Sequence, residues 1–226
     1  MKIGILQTGK VPDELYDKHG DYPDMFERLL ADPEFTFETW LVVDSVLPES
    51  PHACDGWLIT GSKYGAYEDL PWIPPLEDFL RQAYAAGVPI VGVCFGHQIL
   101  AQALGGKVEK FEGGWSVGVK DYAVDDIEDD VQVVAWHQDQ VTELPAAAKV
   151  VGSSPFCPYA ALAYGDRAWS IQPHPEFSGA FMADLIDARS NILPEAIATE
   201  GAGSRHRPTS SDRIAEHMKT FLKRRR

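Results

Sequence analysis

The chain has 226 residues, 45% hydrophobic and 24% charged, enough for one sizeable α/β domain with a buried core, or at most two small domains. Its 34 acidic and 20 basic side chains leave a formal charge of −14, a surface that repels nucleic acid and anionic membrane and argues against both as partners. Three cysteines (Cys54, Cys94 and Cys157) without close pairs argue against a disulfide framework and fit a reducing, cytoplasmic compartment. The N-terminus turns polar too early for a signal peptide, and no apolar run is long enough to span a bilayer.

In chain order, apolar runs over residues 3–6, 35–43, 56–60 and 89–93 read as strands, with helical stretches at 25–30 and 76–86 and another over 96–104. Strands alternating with helices predict βαβ units and a mostly parallel sheet flanked by helices. From 107 to 134 the pattern becomes short strands, Gly-rich turns and the acidic cluster Asp125-Asp126-Ile127-Glu128-Asp129-Asp130. That cluster reads as a solvated turn, since its spacing matches no cation loop. Residues 148–151, 159–164 and 168–172 read as antiparallel strands added to one side. A helix over 181–189 follows, then a polar connection over 190–210. A helix over 212–222 has Ile214, Met218 and Leu222 on one face, with Ser210 or Ser211 as its cap. The division expected is a catalytic domain over 1–190, with the connection and C-terminal helix of 191–226 docked on it. The closing Lys223-Arg224-Arg225-Arg226 suits a solvated helix end.

The most informative segment is Ile90-Val91-Gly92-Val93-Cys94-Phe95-Gly96-His97-Gln98. An apolar strand ends at Gly-x-Cys-x-Gly and a helix begins at once, the thiol counterpart of a nucleophile elbow. Such a turn lifts the sulfur to the carboxyl edge of the sheet, where open α/β sheets form their sites. The helix N-terminus favours the thiolate, and the Phe95 N–H is placed for an oxyanion. The bland alternative is a buried, inert cysteine at a strand end. A thiolate that forms an acyl-enzyme needs a base. In Gln172-Pro173-His174-Pro175-Glu176 two prolines hold the backbone extended, so His174 and Glu176 face the same way and the carboxylate can orient the imidazole. The alternative there is a rigid surface loop with an incidental histidine. Of the other histidines, His97 is a rival base that more plausibly packs locally, His137 sits in an apparent loop, and His19, His52, His206 and His217 read as surface residues. The turn Thr60-Gly61-Ser62-Lys63 follows the third strand at the same edge. It can supply a second oxyanion donor or be an ordinary turn.

Together these motifs resemble the class I glutamine amidotransferase family, with Gly92–Gln98 and Pro173–Glu176 in the family's order. The resemblance runs from residue 1 to about Phe177 and is strongest to stand-alone, GMP synthase-like members, including plant γ-glutamyl peptidases. It implies a flavodoxin-like fold with a small antiparallel addition, and a γ-glutamyl thioester on Cys94, with His174 as acid and base and Glu176 orienting it. It further implies oxyanion donors at Gly61, Ser62 and Phe95, and substrate contacts from Gln98, Trp136, His137 and Gln138. The implied substrate is glutamine or another γ-glutamyl compound, with no cofactor and no metal. Two departures fall in the substrate pocket: Thr60-Gly61-Ser62 stands where many members have Gly-Gly-Pro, and His137-Gln138-Asp139 stands where synthases have His-Gly-Asp. The chain holds no phosphate-loop motif, so either a separate ammonia-accepting synthase chain is the partner or the enzyme simply hydrolyses its amide. Three readings compete with glutaminase activity: γ-glutamyl peptidase, a cysteine hydrolase using His97, and a non-catalytic binding or regulatory module.

Overall fold

The computed structural model describes residues 1–125 and 127–224; Asp126 of the acidic cluster and Arg225 and Arg226 of the basic terminus lie outside them. Strand β1 (Lys2–Leu6) leads to helices α1 (Asp13–His19) and α2 (Tyr22–Leu29), then β2 (Thr36–Trp40), β3 (Gly56–Ile59), α3 (Ile73–Ala85), β4 (Ile90–Val93) and α4 (Phe95–Ala103). The second part has strands β5 (Lys107–Lys110), β6 (Ser116–Val124), β7 (Val131–His137), β8 (Asp139–Glu143), β9 (Lys149–Ser153), β10 (Ala161–Tyr164) and β11 (Ala168–Ile171). Helices α5 (Gly179–Ala188), α6 (Glu195–Gly203) and α7 (Ser211–Leu222) close it.

Nine strands form one sheet in the order β2-β1-β3-β4-β11-β10-β9-β6-β7, and β5 and β8 form a separate antiparallel pair. The parallel half explains its own apolar runs. Strands β3, β4 and β11 are buried on both faces, so no polar alternation is required. One face packs against α2 and α7, where Phe26, Ile214, Met218, Phe221 and Leu222 bury with Ile3, Val91 and Trp169; the other packs against α3 and α4. No described helix is long and apolar enough to cross a membrane.

The structure corrects several expectations. The strand expected over 35–43 ends at Trp40, whose carbonyl accepts the Gln7 N–H at 2.9 Å, and residues 42–44 form a 3₁₀ turn. Strand β11 pairs parallel with β4 and antiparallel with β10, so it completes the parallel half rather than joining the added strands. Its full burial, with only Ser170 polar, follows from that central position. The polar connection contains α6, which packs on β6 and α5. Ser210 does not cap α7 with its side chain; its Oγ accepts the Gln132 N–H at 3.1 Å instead. His19 is not a free surface residue, since its Nε2 lies 2.6 Å from Asp184 Oδ2, and His217 packs on Trp169. Helix α1 had no sequence reading.

Candidate active site

Cys94 connects β4 to α4 with φ 54° and ψ −105°, a left-handed conformation that side chains rarely adopt. The elbow is tight because β4 and α4 nearly touch. A Cβ on Gly92 would lie 2.4 Å from the Gly96 carbonyl oxygen, and one on Gly96 would lie 2.4 Å from that of Ile59. The spacing of Gly92 and Gly96 about Cys94 is therefore a steric requirement. The Phe95 N–H, in the first turn of α4, has no intrahelical acceptor.

His174 follows β11, the neighbour of β4, so both side chains reach the same sheet edge. Its N–H donates to the Val134 carbonyl at 2.8 Å, which ties the segment to β7. Its Nδ1 lies 2.7 Å from Glu176 Oε1, and the Glu176 side chain is wholly buried. Phe177 stacks on the imidazole at 4.0 Å, nearly parallel to it. Burial pushes the imidazole down, but the negative charge of Cys94 and Glu176 outweighs this and holds it up at about 10. Gly61 closes the arrangement from β3: a Cβ there would lie 2.9 Å from His174 Cε1 and 3.8 Å from Cys94 Cβ. Buried Thr8 and Thr60 anchor this turn, with the Thr8 N–H donating to Thr60 Oγ1 at 3.0 Å.

A cleft of about 270 Å³ opens above these groups. Of the residues singled out in the sequence, Ser62, Cys94, Gln98, Trp136, His137, Gln138 and His174 line it. Gly61 and Glu176 support it from below and behind, and the Phe95 side chain packs away against Trp72. Several of the polar groups are already engaged. Gln98 Nε2 donates to the Asp139 carbonyl (2.9 Å) and Gln172 Oε1 (3.1 Å), and Ser62 Oγ donates to the Thr8 carbonyl at 2.7 Å. His137 is not in a loop: it ends β7, is 3% exposed, and burial pushes it down to about 3. His97 is fully buried, bonded through Nδ1 to Ser170 Oγ at 2.8 Å, and likewise pushed down by burial to about 3. It is absent from the cleft lining.

Sequence reasoning missed Tyr22, Tyr67, Trp115, Arg189 and Ile192, which also line the cleft. None was singled out by a catalytic motif; they arrive from the start of α2, the loop after β3, the position before β6 and the turn that ends α5. Phe177 had one signal, its place directly after Glu176. The described residues of the acidic cluster lie between β6 and β7, and among the described residues no three His, Cys, Asp or Glu side chains gather as metal ligands.

Fold and site define a class: α/β proteins carrying a thiol on a strand–helix elbow beside a histidine–carboxylate pair. The family model of class I glutamine amidotransferases matches residues 44–185. γ-Glutamyl peptidase 4 of Arabidopsis thaliana is 30% identical over 192 residues, covering 78% of this chain and 76% of that one. A glutamine-hydrolysing GMP synthase of Azoarcus is 35% identical over 149 residues, 59% of this chain and 28% of that one. A glutamine amidotransferase from Thermotoga maritima has the same fold, with TM-score 0.80, 19% identity and 99% of each chain covered. The chain belongs to the class I glutamine amidotransferase family.

Proposed function

We propose that Cys94, His174 and Glu176 act as a catalytic triad that hydrolyses a γ-glutamyl amide bond. The observation that carries this reading is the 2.7 Å His174–Glu176 pair beside the Cys94 elbow, with the imidazole held up at about 10. In the first half-reaction the Cys94 thiolate attacks the γ-carbonyl carbon, and the oxyanion is held by the N–H groups of Gly61 and Phe95. His174, protonated at Nε2, gives its proton to the leaving nitrogen as the C–N bond breaks, leaving a γ-glutamyl thioester and a free amine. In the second half, water gives a proton to His174 and its oxygen to the acyl carbon, which releases glutamate and restores the thiolate. Glu176 fixes the useful tautomer through Nδ1 and stabilises the imidazolium.

Gln98, through its side-chain amide, and the Trp136–Gln138 segment would hold the amino acid end of the substrate. Free glutamine is the simplest substrate, and the ammonia it releases calls for a separate ammonia-accepting synthase chain or diffuses away. A second reading, γ-glutamyl peptidase, is supported by the extension of the cleft past His174 to Arg189 and Ile192, beyond what ammonia requires. The test measures glutamate release from glutamine and from γ-glutamyl peptides by the wild type and by Cys94→Ala. Release by the wild type alone supports the triad; equal release by both proteins sinks it.

A further inference from the structure

The two ends of the cleft differ in chemistry. Toward Gln98 it is lined by Tyr67, Glu68 and Asp139, and Asp139 is held up by burial while bonded to the Tyr67 hydroxyl. Toward His174 it is lined by Tyr22, Phe177, Leu185, Arg189 and Ile192. This second end continues directly from the imidazole: Phe177 stacks on His174, Tyr22 stacks on Phe177 at 6.0 Å, and the charge of Arg189 acts on the Tyr22 hydroxyl.

Arg189 caps the C-terminal end of α5 and is half-buried. Its guanidinium has no carboxylate within ion-pair distance among the described residues, in a chain whose formal charge is −14. Of the other cations lining the cleft, Lys10 is tied to Asp44 at 2.7 Å, Lys63 lies over the Tyr64 ring, and the charge of Lys110 acts on Asp139. The Ile192 N–H donates to the Arg189 carbonyl at 3.1 Å, so one turn sets the cation beside an isoleucine that is 48% exposed. A cation at a helix C-terminus also complements the helix dipole. That role alone needs no ligand and implies no substrate preference.

The leaving amine must lie on the His174 side, because His174 delivers its proton. We propose that Arg189 is a specificity-determining residue that receives a carboxylate on the leaving group. The preferred substrate is then a γ-glutamyl peptide whose leaving residue carries an apolar side chain, for Leu185 and Ile192, and a free C-terminal carboxylate. This rests on the triad reading above. The bond broken is the γ-amide C–N bond; water supplies the new acyl oxygen, and the products are glutamate and the free amino acid.

The experiment compares kcat/KM for γ-glutamyl-leucine, γ-glutamyl-leucinamide and glutamine in the wild type, Arg189→Gln and Lys63→Gln. The expected wild-type preference for the carboxylate over the carboxamide is about 10- to 100-fold, the scale of one charge-assisted hydrogen bond. In Arg189→Gln that preference falls to near unity, while Lys63→Gln retains it. A ratio taken within one preparation is insensitive to lost folded protein. Three results overturn the proposal: no wild-type preference, a preference that survives Arg189→Gln, or hydrolysis of glutamine alone. Absence of hydrolysis on all three substrates would instead overturn the triad reading itself.

Discussion

At the carboxyl edge of the sheet, His174 is 3% exposed and its imidazole is held up at about 10. Behind the elbow, on the first turn of α4, His97 is fully buried and pushed down to about 3, and His137 at the end of β7 behaves alike. Burial is the same in both regions and acts in the same direction. What differs is company. His174 faces the Glu176 carboxylate and the Cys94 sulfur, whereas His97 meets the Ser170 hydroxyl and the repulsion of His137. The direction in which a buried histidine's pKa moves thus depends on which charged groups its neighbours bring, up beside Glu176 and Cys94 and down where burial acts without a carboxylate.

The largest expected effect comes from removing the sulfur. Cys94→Ala should lower glutamate release by ~10⁴-fold or more, because no other nucleophile can form the acyl intermediate. Glu176→Gln tests the partner. Its kcat should fall by ~10²- to 10⁴-fold, and the His174 titration, followed by NMR, should move down from about 10. A His174 titration unmoved in that variant would remove Glu176 from the account. Gly61→Ala comes next: the new methyl presses on His174 Cε1, so kcat should drop by ~10- to 100-fold with little loss of stability. A thermal melt shows whether the fold survives.

The smallest effects are in stability, and they oppose each other in sign. His97 and His137 have folded pKa values near 3, below the unfolded value of about 6.5, so the unfolded chain takes up protons first on acidification. Their contribution is complete above about pH 6.5 and is lost as the pH falls toward 3. His174 is raised above its unfolded value, so its contribution is complete below about pH 6.5 and is lost as the pH rises through about 10. Urea midpoints measured from pH 4 to pH 10.5 should therefore fall on both sides of neutrality. His97→Gln should flatten the acid arm, and Cys94→Ala the alkaline arm. If each substitution changed both arms equally, the two regions would not be distinct.

Much of the site was legible because its geometry is local. The elbow needs small residues two positions before and after Cys94, and a Pro-flanked extended segment sets Glu176 beside His174 within three residues. Both constraints leave a trace in sequence spacing. His137 was not legible as a buried strand end, because its polar neighbours Gln138 and Asp139 look like a loop when burial is unknown. Helix α6 escaped for a related reason: its Gly- and Ala-rich sequence has no strong apolar stripe and gains its place by packing on β6 and α5.

The sequence by itself determined the parallel α/β class, the strand–Cys94–helix elbow and the His174–Glu176 pair, since each rests on backbone constraints acting over a few residues. Tertiary structure alone decided that β11 runs parallel beside β4, which brings His174 to the sheet edge that carries Cys94. It alone set Gly61 against both and moved the pKa values of His174 and His97 in opposite directions. It also drew Tyr22, Arg189 and Ile192 into one cleft. These depend on contacts between residues far apart in the chain, and no local pattern encodes the field or the space that such contacts create.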